Sequence, residues 1–202
     1  MDSVVPGTVG YHGRGAELAA QMEGLTFEQV QAPILDLIPS RPATILDVGA
    51  GSGRDAAALA AMGHTVVAVE PTSDMRDAGR RIHAGKAITW LDGALPELAC
   101  LVGSSPGFFA LVMATAVWMH LDTAERQRAM QVIAGLLQKP GLLILSLRHG
   151  PVPEGRRMFA VSAEETIEVA AQNGLHLIRR ETRSDPQRRA GVSWTVLAFQ
   201  TA

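Results

Sequence analysis

Residues 43–71, ATILDVGAGSGRDAAALAAMGHTVVAVEP, limit what this chain can fold into more than any other stretch. Ile45, Leu46 and Val48 form the short apolar run of a strand in a buried parallel sheet. Gly49, Gly51 and Gly53 follow, and a backbone without Cβ atoms can turn sharply and admit a ligand closely. The segment from Arg54 to Met62 is rich in Ala and Leu and reads as a helix ended by Gly63. Thr65 to Val69 is a second, β-branched strand, with Glu70 at its C-terminal tip. Strand, glycine loop, helix, strand and acid make one βαβ unit with a nucleotide-binding layout.

The glycine spacing narrows the ligand. A dinucleotide fingerprint, G-x-G-x-x-G, begun at Gly49 would place a glycine at position 54, where Arg54 stands. The pattern present is D-x-G-x-G-x-G, on Asp47, Gly49, Gly51 and Gly53. It resembles the class I S-adenosylmethionine-dependent methyltransferases. The resemblance implies that the loop Asp47, Gly49, Ala50, Gly51, Ser52, Gly53, with Arg54 and Asp55 behind it, passes under the methionine part of the cofactor. It implies that Glu70, followed by Pro71, takes the ribose hydroxyls. The chemistry agrees: this cofactor has no pyrophosphate and needs no tight phosphate site at a helix N-terminus. A ribose diol needs an acceptor for two hydroxyls, which a carboxylate provides. At a strand tip, Glu70 is expected to contribute little to stability.

Further positions follow from the same resemblance. Met75 is expected against the adenine face. Asp92, in W-L-D-G-A, is expected to receive the adenine amino group, with Gly93 and Ala94 beside the ring. Thr115 closes the fourth strand at the cofactor, and Tyr11 and Arg14 lie over its methionine end. In A-V-W-M-H-L, His120 faces the cleft as a candidate general base, since an imidazole titrates near neutrality. The Asn-Pro-Pro-Tyr motif of some family members is absent here, which argues against amide or nucleic-acid-base N-methylation of that type.

The chain has 202 residues, enough for one domain with a sizeable core. Apolar residues make up 47% and charged residues 19%, a globular rather than disordered balance. A net charge of −2 gives no general pull toward nucleic acid. The single Cys100 excludes an internal disulfide framework and is expected to serve packing. Scattered histidines show no ligand spacing, so no metal is expected. Without a basic leader or an apolar run long enough for a membrane span, a soluble, cytoplasmic protein is expected.

The pattern continues to alternate. Residues 73–85 read as a helix with Ser73 or Asp74 as cap. Ile88–Leu91 is a third strand and Phe108–Thr115 a fourth. Asp122–Gln138 is a helix stopped by Pro140 and Gly141, and Leu142–Leu147 is a fifth strand. Ser162 should cap a helix reaching Asn173, with Glu165 completing a capping box. Two last strands, 175–183 and 193–200, have no helix between them and must run antiparallel if adjacent. Alternation argues a doubly wound α/β sheet. The resemblance implies seven strands, mostly parallel, with the last inserted antiparallel beside the fifth. Residues 1–40 are expected as a helical cap, with helices at Gly15–Met22 and Phe27–Leu37, over a cofactor-binding domain at 41–202.

With no inserted substrate domain, the acceptor site must come from this cap and the loops at the strand C-termini. Trp118, Arg148 and His149 are the acceptor-binding candidates, and Arg148, His149, Arg156 and Arg157, around the Pro/Gly loop G-P-V-P-E-G after the fifth strand, are cations suited to a carboxylate or phosphate. Arg188 and Arg189 are expected as surface charge. The resulting expectation is transfer of a methyl group from S-adenosylmethionine to an O or N atom of a small molecule, with S-adenosylhomocysteine as product. The expected acceptor is a small molecule, an anionic one being suited to these cations, with neither nucleic acid nor membrane as partner and the protein a monomer or homodimer. Rival readings are a catalytically silent cofactor- or partner-binding protein and, further off, a nicotinamide-dependent oxidoreductase.

Overall fold

The computed structural model describes residues 5–11, 13–103 and 107–202. Its strands are β1 (Thr44–Val48), β2 (Thr65–Val69), β3 (Ile88–Leu91), β4 (Phe109–Ala114), β5 (Leu137–His149), β6 (Leu175–Ser184) and β7 (Ser193–Thr201). Its helices are α1 (Gly15–Glu23), α2 (Phe27–Gln31), α3 (Arg54–Ala61), α4 (Ser73–Ile82), α5 (Thr123–Leu136) and α6 (Ala163–Gln172). The strands form one sheet in the order β3-β2-β1-β4-β5-β7-β6. β1 to β5 pair in parallel, and β7 runs antiparallel between β5 and β6. The strand order reverses between β1 and β4, which opens a crevice above their C-terminal ends.

The apolar alternation divides the core between the two faces. Leu46 and Val48 join Trp118, Met130 and Phe199 on the α5–α6 face. Ile45 joins Phe27, Ile34 and Leu59 on the other. Side chains such as Trp118 and Phe199 are fully buried, each contributing about 1.5–3 kcal/mol. β7 is buried along most of its length, whereas the edge strand β6 is largely exposed and carries Arg179, Arg180, Glu181 and Arg183. Charge on an edge strand discourages pairing with a second sheet.

Several boundaries differ from the sequence reading. Thr72, not Ser73 or Asp74, occupies the N-cap position of α4; the Asp74 carboxylate instead accepts from Gly15 N–H at 2.9 Å, tying α1 to α4. The expected helix Phe27–Leu37 is α2 followed by a 3₁₀ segment, Ala32–Leu37, because Pro33 cannot continue the α-helical hydrogen bonds. α5 ends at Leu136 and β5 begins at Leu137, earlier than expected, with an irregular pairing between Phe109 and Leu111. Ser162 caps α6, but the Glu165 carboxylate takes the buried Arg126 guanidinium at 2.9 Å, so α5 and α6 are joined by an ion pair rather than by a capping box. Among the described residues, no helix is long and apolar enough to cross a membrane.

Candidate active site

Two adjoining chambers occupy the crevice at the strand reversal. The smaller, about 140 Å³, is lined by Gly51, Glu70, Pro71, Met75, Ala94 and Leu95 among others. The larger, about 430 Å³, lies toward β5 and β7 and includes Arg14, Asp47, Arg148, Arg156, Arg189 and Trp194. Tyr11, Met22, Gly49, Gly51, Thr115, Ala116 and His120 border both, so the chambers share a wall.

The glycine loop is the floor. Gly51 has φ +58°, and a Cβ there would stand 2.8 Å from the Met22 Sδ of α1. A side chain at Gly49, φ +66°, would collide with Val117. Only glycine allows this turn with α1 and the loop after β4 so close. Glu70 is 6% exposed. Its Oε2 accepts from Gly51 N–H at 3.0 Å and its Oε1 from Thr72 N–H at 2.9 Å. Burial pushes its carboxyl above the usual range, while the two backbone donors act in the opposite direction. Each oxygen retains a lone pair, so a ribose diol can still be received. Because the carboxylate also anchors the loop, Glu70 is not the stability-neutral tip residue expected from sequence.

Asp47 lies beneath the loop, 2% exposed, with Oδ2 lacking a hydrogen-bond partner among the described residues. Burial pushes its carboxyl well above the usual range, and the nearby Asp55 adds to the rise. Beside it, Gln31 Nε2 donates to Asp55 Oδ2 at 2.6 Å and to Thr115 Oγ1 at 2.9 Å, and Thr115 donates to Asp55 at 3.1 Å. Arg54 reaches Asp55 at 2.7 Å and the Met22 carbonyl at 3.2 Å. This network joins α2, α3, the end of β4 and α1. A buried carboxylate oxygen awaiting a donor, a cradle that any Cβ would fill and a ribose-competent acid fit an aminoacyl-sulfonium nucleoside.

The shared wall carries the reactive groups. Tyr11 Oη lies 3.1 Å from His120 Nε2, and His120 Nδ1 lies 2.8 Å from the Arg157 carbonyl. A carbonyl only accepts, so Nδ1 carries the proton and Nε2 offers its lone pair to the Tyr11 hydroxyl. Burial lowers the His120 pKa, against a rise from the Arg157 carbonyl, and Arg156, Arg157 and Arg148 lower it further. Burial raises that of Tyr11. Both are therefore neutral near pH 7, with tyrosine as donor and histidine as acceptor.

Of the sequence candidates, Tyr11, Arg14, Asp47, Gly49, Ala50, Gly51, Ser52, Arg54, Asp55, Glu70, Pro71, Met75, Ala94, Thr115, His120 and Arg148 line the chambers. Gly53, Asp92, Gly93, Trp118 and His149 do not. Gly53 packs against Trp90, and Gly93 against Cys100. Asp92 pairs with Arg76 at 3.1 Å. Trp118 is fully buried among core residues. His149 is bonded to Thr195 Oγ1 at 2.9 Å on β7. Arg148 and His149 are consecutive on a strand, so their side chains leave opposite faces and cannot serve one pocket together. Arg188 and Arg189 are exposed in the loop between β6 and β7, as expected, and Arg189 also lines the larger chamber and holds the buried Asp185 at 2.8 Å. Arg156, one of the loop cations expected at the acceptor, lines the larger chamber, whereas Gln31 and Met22 carried no local motif and their roles arise from contacts with distant segments.

The fold is that of the class I S-adenosylmethionine-dependent methyltransferases, and residues 45–141 match the family model described as a methyltransferase domain. Among curated relatives, an uncharacterised methyltransferase of Oceanobacillus iheyensis is 27% identical over 158 residues, covering 77% of this chain and 63% of that protein. The chain thus spans less than two thirds of that relative's length. Among solved structures, the 1,6-didemethyltoxoflavin-N1-methyltransferase of Burkholderia thailandensis, bound to 1,6-didemethyltoxoflavin and S-adenosylhomocysteine, superposes with a TM-score of 0.68 at 20% identity, covering 87% of this chain and 77% of that one. A TehB-like S-adenosylmethionine-dependent methyltransferase from Corynebacterium glutamicum gives 0.68 at 22% identity, covering 93% and 98%.

Proposed function

We propose that this protein transfers a methyl group from S-adenosylmethionine to an O or N atom of a small molecule, with residues 1–40 acting as the cap over the site. The observation that carries the reading is the shared wall: a neutral Tyr11–His120 pair stands between a glycine-loop chamber bearing Glu70 and a larger chamber open to an acceptor. When bound, the cofactor supplies a methyl group already activated on a sulfonium. Glu70 would receive the ribose hydroxyls, and Asp47 Oδ2 would receive the ammonium of the aminoacyl end. Met75, 1% exposed at the wall of the smaller chamber, presents a thioether suited to the adenine face.

The wall residues would handle the acceptor's proton. His120 Nε2 can take it through Tyr11: the hydroxyl passes its proton to Nε2 as it receives one from the acceptor O–H or N–H. Nδ1, held by the Arg157 carbonyl, keeps the imidazole in the required tautomer. Cap, loop and wall also align the nucleophile and exclude water, the main demands of a displacement at an activated methyl.

Two measurements test the reading. Calorimetry should give binding of S-adenosylmethionine and S-adenosylhomocysteine but not NAD, since Arg54 stands where the dinucleotide glycine would be. Incubation with S-adenosylmethionine and a panel of small O- and N-nucleophiles should then release S-adenosylhomocysteine. Binding without turnover on any acceptor would favour a silent cofactor-binding protein.

A further inference from the structure

We propose that Arg148 and Arg156 form an anion clasp, so that the acceptor carries a carboxylate or phosphate set apart from its nucleophilic atom. This deepens the methyltransferase reading and rests on it. Both arginines line the larger chamber and neither lines the smaller one. Arg148, at the end of β5, is 9% exposed. Its Nη1 donates to the Pro151 carbonyl at 2.9 Å, but its Nε has no partner among the described residues. Arg156 lies with its guanidinium carbon 3.4 Å from the Tyr11 ring centroid, a cation–π contact, and its buried Nη1 also lacks a partner.

The charge balance of the chamber points the same way. Arg54 is paired with Asp55, Arg14 with Glu17 and Arg189 with Asp185, while Arg183 donates to the Gln29 carbonyl at 3.1 Å. Asp185 is fully engaged, also accepting from Trp194 Nε1 at 2.8 Å. Among the described residues, neither Arg148 nor Arg156 has a carboxylate at ion-pair distance, and Glu154 on the same lining is exposed. A guanidinium does not escape burial by losing its proton, so buried N–H groups without acceptors are costly until an anion arrives. Burial and the charge of Arg189 push the Arg148 pKa down, as expected for a cation lacking its counter-ion.

The stacking of Arg156 on Tyr11 sets the geometry. An anion held there places the rest of a short acceptor against the Tyr11 hydroxyl, where its proton can leave. Planar N–H donors suit both oxyanions, and the site size alone does not separate them.

The test is titration of inorganic phosphate and of acetate, each against chloride at equal ionic strength, followed by melting temperature and by NMR, with and without saturating S-adenosylhomocysteine. Wild-type protein should respond saturably to one of the two ions and not to chloride. Arg148→Met and Arg156→Met, checked for folding by circular dichroism, should each weaken that response about tenfold, the effect of losing a hydrogen bond to a charged group. Their affinity for S-adenosylhomocysteine should stay within about threefold of wild type, about half the free energy of a tenfold change. Arg156→Met is the more exposed site and decides the matter if the Arg148 variant does not fold. A response to phosphate alone assigns a phosphorylated acceptor, and one to acetate alone a carboxylated one. Indifference of wild type to both ions would overturn the clasp. So would a tenfold loss of S-adenosylhomocysteine affinity in Arg156→Met, which would give these arginines to the cofactor's own carboxylate. Absence of S-adenosylhomocysteine binding in wild type would remove the methyltransferase reading, while the titrations without it would still decide the clasp.

Discussion

The two halves of the cleft are built differently. The floor, the glycine loop with Glu70, is a product of one contiguous stretch: β1, the loop, α3, β2 and Glu70 lie within residues 44–70. The larger chamber draws Tyr11 from the segment before α1, His120 from the turn after β4, Arg148 from the end of β5, Arg156 from the following loop and Arg189 from the loop between β6 and β7. The first is set by local backbone geometry, the second by packing between segments far apart in the chain. Changes in the first should strike cofactor binding and stability together. Changes in the second should strike the acceptor and leave the cofactor in place.

The largest expected effect tests that coupling. Glu70→Ala removes both the ribose acceptor and the partner of the Gly51 and Thr72 N–H groups. Affinity for S-adenosylhomocysteine should fall at least about a hundredfold, from two charge-assisted hydrogen bonds of about 1.5–3 kcal/mol each. Stability should fall by about 1–3 kcal/mol from the donors left unpaired. Chemical denaturation and calorimetry on one preparation would measure both. Loss of affinity with unchanged stability would break the local half of the comparison.

Tyr11→Phe comes next. It removes one hydroxyl and keeps the ring beneath Arg156. With an acceptor that must lose a proton, turnover should fall by about 10²-fold, the lower range for acid–base assistance. S-adenosylhomocysteine affinity should change by less than about threefold, a small fraction of one charged hydrogen bond. Equal losses in both quantities would mean that the wall is not a division between two functions.

The pH response sharpens the assignment to His120. Its folded-state pKa lies below the ordinary value of about 6.5, chiefly through burial. The neutral, base-competent form therefore persists below that pH, and the acid limb of turnover should lie under about 6.5. The same shift means that the unfolded chain takes up the proton first as pH falls. The stability contributed by neutral His120 is complete above about 6.5 and declines through lower pH. The pH dependence of the melting temperature, in wild type and in His120→Gln, would check the sign.

The smallest expected effect is at His149. His149→Ala should leave both cofactor and acceptor affinity within about twofold and cost about 0.5–1.5 kcal/mol of stability through its hydrogen bond to Thr195. An acceptor defect here would contradict the facing of β5.

This division also explains what could be read from sequence. The sheet, the glycine loop and Glu70 were legible because each follows from residues adjacent in the chain: β-branched runs, glycines at spaced positions and an acid after a strand. The ends of α5 and β5 were not, because Leu137–Lys139 is apolar or long-chained enough for either element and pairing with β4 decided it. The Glu165 capping box failed because a buried guanidinium on another helix was a stronger partner than a backbone N–H. Trp118 was misjudged because a tryptophan near a strand tip can turn into the core as easily as into the cleft. Arg156 was legible only as one cation of a Pro/Gly-rich loop, and Arg189 only as exposed loop charge. Their places depend on Tyr11 and Asp185, which no local pattern connects to them.

The most direct test of the account is a crystal structure of the protein with S-adenosylhomocysteine. The ribose hydroxyls should lie about 3 Å from the Glu70 carboxylate oxygens, at hydrogen-bond distance, with the adenine beside Met75. The sulfur should face the larger chamber across Tyr11 and His120. An adenosine group lodged against Arg148 and Arg156, with Glu70 touching only Gly51 and Thr72, would contradict it.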